Sequence, residues 1–274
     1  MNPSTWPQKL RCLALLASLA FALDASSTAQ ALPSVRADAK PAPFTVSWRN
    51  KPPYHYLENG KDKGFLLERS KQVFAMAGIE AEHVEMPTKR ILQNFNNGTP
   101  NFCSIGWYYL PEREALFQYS KPLHIDPPRT VIVGPAALAA VKAHASLASL
   151  LQDGKLSMGI MDGVSYGQKL DTLFAVAASR IEKPTVEPFR FMHMAAANRF
   201  SFALIDREDW DWFRTHEKGL GELRNLDFAD MPGGIARYLV CSKDVSPDHM
   251  GKLNRAIASL KIAAPETKQS AGNP

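Results

Sequence analysis

Little in this chain of 274 residues points to a cofactor. No cysteine or histidine spacing suits zinc, and neither a P-loop nor a dinucleotide-binding glycine pattern occurs, so no metal or cofactor is expected. Charge of one sign is also in short supply. The net charge is only +5, and its surplus is scattered, which argues against a nucleic-acid partner. Beyond the first residues no apolar run is long enough to cross a bilayer. There is no internal repeat. Cysteine is scarce, with three in the chain.

The start of the chain is distinctive. "MNPSTWPQKLR" is basic, "CLALLASLAFAL" is a short apolar run, and "DASSTAQA" offers small residues at Ala29 and Ala31. These three parts, in this order, describe a secretory signal over residues 1–31 and predict a periplasmic protein. Cys12 falls inside this leader, so the exported chain keeps Cys103 and Cys241. An even pair in an oxidising compartment suggests one disulfide, with two buried thiols as the alternative.

The Pro/Ala-rich stretch 32–43 reads as a linker and 265–274 as a disordered tail. Between them, strands alternate with helices: "FTVSW", "EAEHVEM", "NFCSIG", "TVIVG", "LSMGIMDG", "FSFALID" and "RYLVCSKD" have strand character. "FLLERSKQVFAMAG", "TKRILQNFNNG", "SLASLLQDG", "YGQKLDTLFAVAASRI", "MHMAAANR" and "DREDWDWFRTHE" have helical character. Asn59-Gly60 marks a turn, and Ser246 followed by Pro247 starts a last helix. This alternation predicts an α/β architecture with mainly parallel sheets.

Several residues carry chemistry. Pro111 suits a first helical position, and Glu112 and Glu114 suit the positive end of a helix dipole. Arg113, one turn in, has the planar fork that takes a carboxylate bidentately; its bland alternative is a surface pair with a neighbouring glutamate. "DGVSYG" places Ser165 at a glycine-rich turn before a helix, as a cap or an anion contact. Asp206 ends a strand where α/β ligand crevices form, although "DREDWDW" also reads as an acidic helix start. Tyr54, Trp107 and Tyr108 can roof an organic ligand or fill a core. Arg90 is a cleft candidate or a solvated helix charge. "FMHMAA" reads as core packing with one polar tip rather than a copper site.

The ordered set "PPYHYLENGKDKGFLLE", "LPEREALFQYSKPL", "SMGIMDGVSYGQKL" and "NRFSFALID" resembles family 3 periplasmic solute-binding proteins, the amino-acid-binding type associated with ABC importers. The resemblance implies a fold of two α/β lobes joined by two crossing strands: lobe 1 over 44–131 plus 237–264, lobe 2 over 132–236. It also implies a monomer that closes about a hinge on a small molecule and serves an inner-membrane ABC permease or a receptor, without being an enzyme. Arg113 would then clamp a ligand carboxylate and Asp206 would pair with a ligand amine. The returning strand would lie beside that of Cys103, so the resemblance implies a Cys103–Cys241 disulfide. Relatives usually show Ser-x-Thr-Pro-Glu-Arg, whereas Tyr108 and Leu110 stand at the hydroxyl positions here. An α-amino acid ligand is therefore in question.

Two rivals remain. "GVSYG" fits the G-x-S-x-G nucleophile elbow, with Asp206 or Asp227 and His249 following in hydrolase order. The segment that would supply oxyanion donors, a glycine-rich HGGG-like loop, does not occur. A binding-protein fold turned to catalysis would draw on His55, Glu58 and Asp206, but their spacing does not demand it.

Overall fold

The computed structural model describes residues 43–260. The expected leader, the tail and all of the linker but Pro43 lie outside the described residues. The strands are β1 Phe44–Trp48, β2 Tyr56–Glu58, β3 Lys61–Lys63, β4 Ala81–Glu85, β5 Phe102–Tyr108, β6 Phe117–Ile125, β7 Thr130–Val133, β8 Ser157–Gly159, β9 Arg180–Glu182, β10 Phe202–Ile205, β11 Arg224–Leu226 and β12 Ala236–Ser242. The helices are α1 Phe65–Met76, α2 Thr88–Asn96, α3 Leu138–Lys142, α4 Leu147–Leu151, α5 Gln168–Ala175, α6 Pro188–Ala196, α7 Arg207–His216 and α8 Pro247–Ser259.

Two five-stranded sheets form two lobes, ordered β4-β1-β5-β12-β6 and β11-β7-β10-β8-β9. In the first, β4, β1 and β5 are parallel, while β12 runs antiparallel to both its neighbours. In the second, β10, β8 and β9 are parallel, and β7 is antiparallel to β10 and β11. The expectation of parallel pairing thus holds for one side of each sheet. The reversal on the other side comes at β7 and β12, the strands that carry the chain between lobes. Such a strand is not reached by the right-handed crossover that keeps βαβ neighbours parallel.

The period-2 alternation of each strand feeds a separate layer of side chains. In β7, Val131 and Val133 join the cluster under α4 and α5, while Ile132 joins Phe191, Trp210 and Phe213 from α6 and α7. In the first lobe α1 and α8 cover one face, with Leu66, Phe74 and Leu253 on Val46 and Ile105. Ile91 and Phe95 of α2 cover the other, with Phe102, Trp107 and Phe117. Ser246 caps α8 by accepting the His249 N–H at 3.2 Å, with Pro247 at the first helical position. Asn59 and Gly60, both with positive φ, make the two-residue β2–β3 turn. Cys103 and Cys241 are register partners on β5 and β12 and are disulfide-bonded, closing a 138-residue separation.

Two local expectations need correction, and β6, β11 and α3 are elements that the sequence did not announce. The helix start at Pro111 is a single 3-10 turn, Pro111–Ala115, because the chain enters β6 at the buried Phe117. β6 itself was hidden by Pro122, which has no N–H for a ladder; it is tolerated on this edge strand, where the register shifts. The helical run to Ile181 stops at Ala175, since residues 180–182 pair with β8 as β9. Tertiary pairing overrides the helical propensity of an Ala-rich segment there. β11 and α3 are too short to show a period.

Candidate functional site

The carboxyl ends of β1, β5 and β10 meet the two crossing segments in a cleft between the lobes. A cavity of about 940 Å³ opens there, walled by Tyr108–Pro111 from the first lobe and by Ser165–Thr172 and Asp206 from the second. Asp126, Arg129 and residues 232–236 of the crossing segments complete it.

Behind this wall, bonded to three of its residues, lies Arg237, 1% exposed on β12. Its Nε donates to Asp126 Oδ1 at 2.7 Å, and one Nη donates to the Tyr108 hydroxyl at 2.7 Å and to Asp206 Oδ2 at 3.0 Å. The guanidinium carbon stands 4.0 Å from the Tyr54 ring centroid and 4.5 Å from that of Tyr108. The Tyr108 hydroxyl in turn donates to Asp126 Oδ2 at 2.8 Å. Arg129 donates from Nε to Asp206 Oδ1 at 2.8 Å and also bonds the Tyr166 carbonyl. Lys51 stands 3.5 Å from Asp206 and donates to both oxygens of Asp209 at 2.6 and 2.8 Å.

These pairings shift the acids in opposite directions. Burial would push Asp206 up, but Arg129, Lys51 and Arg237 outweigh it and hold its carboxyl well below the usual range. Burial pushes Asp209 up to about 6, helped by Asp206 and opposed by Lys51. Asp126 is also raised, by burial and then by Asp206 against Arg237. Asp206, although at the N-cap of α7, makes no side-chain cap bond, because its oxygens are spent on cations.

The network spans the lobes. Lys51 reaches Asp209, the Tyr54 hydroxyl donates to Glu208 Oε2 at 2.6 Å, and His124 Nε2 bonds Glu208 Oε1 at 2.7 Å. His124, Asp126 and Glu208 place three potential metal-ligand atoms within 4.8 Å of one another. Their surroundings already engage these atoms. Arg69 approaches His124 Nδ1 at 3.3 Å as a donor, which assigns the ring proton to Nε2, and Asp126 already holds Arg237. A metal would need that Nε2 lone pair.

Among the residues expected at the site, Tyr54, Tyr108 and Asp206 come together in this network, and Ser165 lies across the cavity from Tyr108. The Ser165 hydroxyl donates to Asp171 Oδ2 at 2.9 Å and accepts the Gly167 N–H at 3.2 Å, holding the turn before α5. Trp107 is 3% exposed and packs in the core under α2. Arg113 is half-buried, with its guanidinium carbon 5.2 Å from the Trp107 centroid. Arg90 is exposed on the first turn of α2. Neither Arg113 nor Arg90 has an ion pair among the described residues.

The hydrolase constellation is not assembled. His249 sits on α8 of the first lobe, against Ser246 and the edge of Phe44, while Asp227 accepts from Thr130. His193 of "FMHMAA" is exposed and its flanking Met192 is buried, which fits core packing. Arg49, Lys51, Asp126, Arg129, Glu208, Asp209 and Arg237 went unnoticed in the sequence. One signal was present: an arginine inside "ARYLV", an otherwise strand-like run that predicts burial, needs a partner.

A family model described as bacterial extracellular solute-binding proteins, family 3, matches residues 44–263. Solved structures share the fold. The VFT2 domain of Bordetella pertussis BvgS is 13% identical, with a TM-score of 0.61 over 79% of this chain and 87% of that one. The GluR0 ligand-binding core of Nostoc punctiforme, in complex with L-glutamate, is 15% identical, with a TM-score of 0.59 over 80% and 93%. A His/Glu/Gln/Arg/opine family-binding protein from Silicibacter pomeroyi, in complex with lysine, is 16% identical, with a TM-score of 0.58 over 79% and 89%. No curated protein matches the sequence. At these identities the structural likeness speaks for the fold alone.

Proposed function

The chain belongs to the bacterial extracellular solute-binding proteins of family 3, and on that premise we propose that it captures a small carboxylate-bearing molecule between its lobes. The cavity of about 940 Å³, walled by both lobes at the strand ends, carries this reading. The crossing segments around Asp126–Arg129 and Ala236–Arg237 act as the hinge, so a ligand held by both walls favours closure. Arg113, two residues beyond Pro111 of the cavity wall, is the first candidate for the carboxylate. Tyr108, Ser165 and Asp206 shape the walls, and Tyr54 and Trp107 support them from behind. The signal-like leader supports a periplasmic location, where the protein would act as a monomer delivering its ligand to an inner-membrane ABC permease or a receptor. The role is binding, not catalysis.

A thermal-shift screen over organic acids, amino acids and polyamines, followed by small-angle scattering, tests this. The expected result is a rise in unfolding temperature with an acid, since a ligand that binds only the folded state stabilises it by mass action, together with a smaller radius of gyration. A screen in which polyamines alone raise the midpoint would defeat the carboxylate reading.

A further inference from the structure

We propose that Arg49 and Arg113, both stacked on Trp107, form a two-arginine anion site, and that the ligand is an organic acid without an ammonium group. This deepens the solute-binding reading above and rests on it.

Arg49 follows β1 directly. Its guanidinium carbon lies 5.3 Å from the Trp107 centroid, that of Arg113 5.2 Å from the same centroid. Two cations share one indole, and among the described residues neither has a carboxylate within ion-pair distance. Arg49 is positioned rather than free. One Nη donates to the Gly106 carbonyl at 3.0 Å, and its own carbonyl bonds His55 Nδ1. Gly106, with φ 79°, breaks the alternation of β5 and turns Trp107 toward α2 and the arginines. A Cβ there would stand 2.8 Å from His55 Nε2, so the bend and the ring beneath it fit only glycine.

The electrostatics agree with this geometry. Burial, Arg237 and Arg113 lower the Arg49 guanidinium to about 10, against the raising influence of Tyr108 and Asp206. An arriving anion relieves that cost, and the guanidinium forks donate to carboxylate oxygens without rearranging the network.

The ammonium half of an amino acid meets the opposite situation. Asp206 already accepts from Arg129 and Arg237 and faces Lys51. Asp126 is taken by Arg237 and Tyr108. Leu110 offers no side-chain acceptor. An ammonium directed at either buried carboxylate would have to displace a guanidinium, leaving that charge unpaired. The exposed Asp171 of the cavity wall already accepts from the Ser165 hydroxyl and the Tyr166 N–H. At the two buried carboxylates the protein supplies the cations, while Arg49 and Arg113 are left without a carboxylate among the described residues.

Titration calorimetry and thermal shift with matched pairs test the proposal: glutarate against L-glutamate, and 3-phenylpropionate against L-phenylalanine. At least one amine-free acid should bind at least tenfold more tightly than its amino-acid partner. Arg49→Gln and Arg113→Gln should each weaken that acid tenfold or more, with Arg49→Lys in between. Arg49→Lys and Arg113→Gln keep the test open if Arg49→Gln fails to fold. Equal or tighter binding of the amino acid overturns the amine-free ligand, and an unchanged acid affinity in Arg49→Gln overturns the role of Arg49. If neither pair binds but another solute in the broader screen does, this proposal fails while the solute-binding reading stands. If nothing binds at all, both fail.

Discussion

Four arginines near one cleft divide into two pairs with opposite surroundings. Arg129 and Arg237 are buried among Asp126 and Asp206 and have their donors matched by carboxylate, phenol and carbonyl oxygens. Arg49 and Arg113 each stand over the Trp107 ring and, among the described residues, have no carboxylate within ion-pair distance. The guanidinium is the same in each case; the partner decides its work. A matched buried cation holds two strands and two lobes in place, and one left unmatched is available to something from outside.

The largest effect should come from breaking the matched pair. Arg237→Met leaves Asp126 and Asp206 without their shared partner in a buried site and should lower unfolding stability by about 3–5 kcal/mol. Denaturant unfolding measures this. A loss below about 1 kcal/mol would mean that the pairing merely offsets its own desolvation.

The next effect is a pH dependence. Asp209, 2% exposed beside Lys51 and facing Asp206 and Arg237, titrates near 6 when folded. Its folded value lies above the unfolded one, so its contribution is complete below about pH 4 and declines as pH rises through 6. Asp206 has the opposite sign: its contribution is present above the unfolded carboxylate range and is lost only as pH falls well below it. Asp209→Asn should therefore flatten the stability profile between pH 4 and 7, on the order of 2–3 kcal/mol relative to the parent. Parallel profiles for the two proteins would remove Asp209 as the titrating group.

Arg113→Gln sharpens the contrast by doing little to the unliganded protein. Losing its contact with Trp107 should cost about 0.5–1 kcal/mol. A penalty as large as that of Arg237→Met would place it in the structural class. Arg90→Gln should be smaller still, within about 0.5 kcal/mol, with ligand binding unchanged, because Arg90 is exposed on α2. Weakened ligand binding in that variant would instead bring α2 into the cleft.

Much of the frame was legible along the chain. Strand alternation, the Asn59-Gly60 turn and the Ser246-Pro247 helix start are governed by neighbours a few residues away, and all appear where expected. β6, β9 and β11 were not, since their pairing depends on strands distant in sequence. The site was legible in part. Tyr108 and Asp206 stood out by position and type, yet their partner Arg237 looks from the sequence like a stray charge in a strand. Arg113 stood out too, but its helix proved to be a 3-10 turn.

The sequence by itself therefore determined the α/β order, the cysteines available to pair and the residue types at the cleft, because local periodicity and composition depend on near neighbours. Tertiary structure alone decided which charges meet. Asp126 and Arg237 are 111 positions apart, and Lys51 and Asp209 are 158 apart. Whether an arginine is matched or left for a ligand depends on the side chains that folding brings within about 3 Å of it, because only at such range does a guanidinium form its charge-assisted hydrogen bonds.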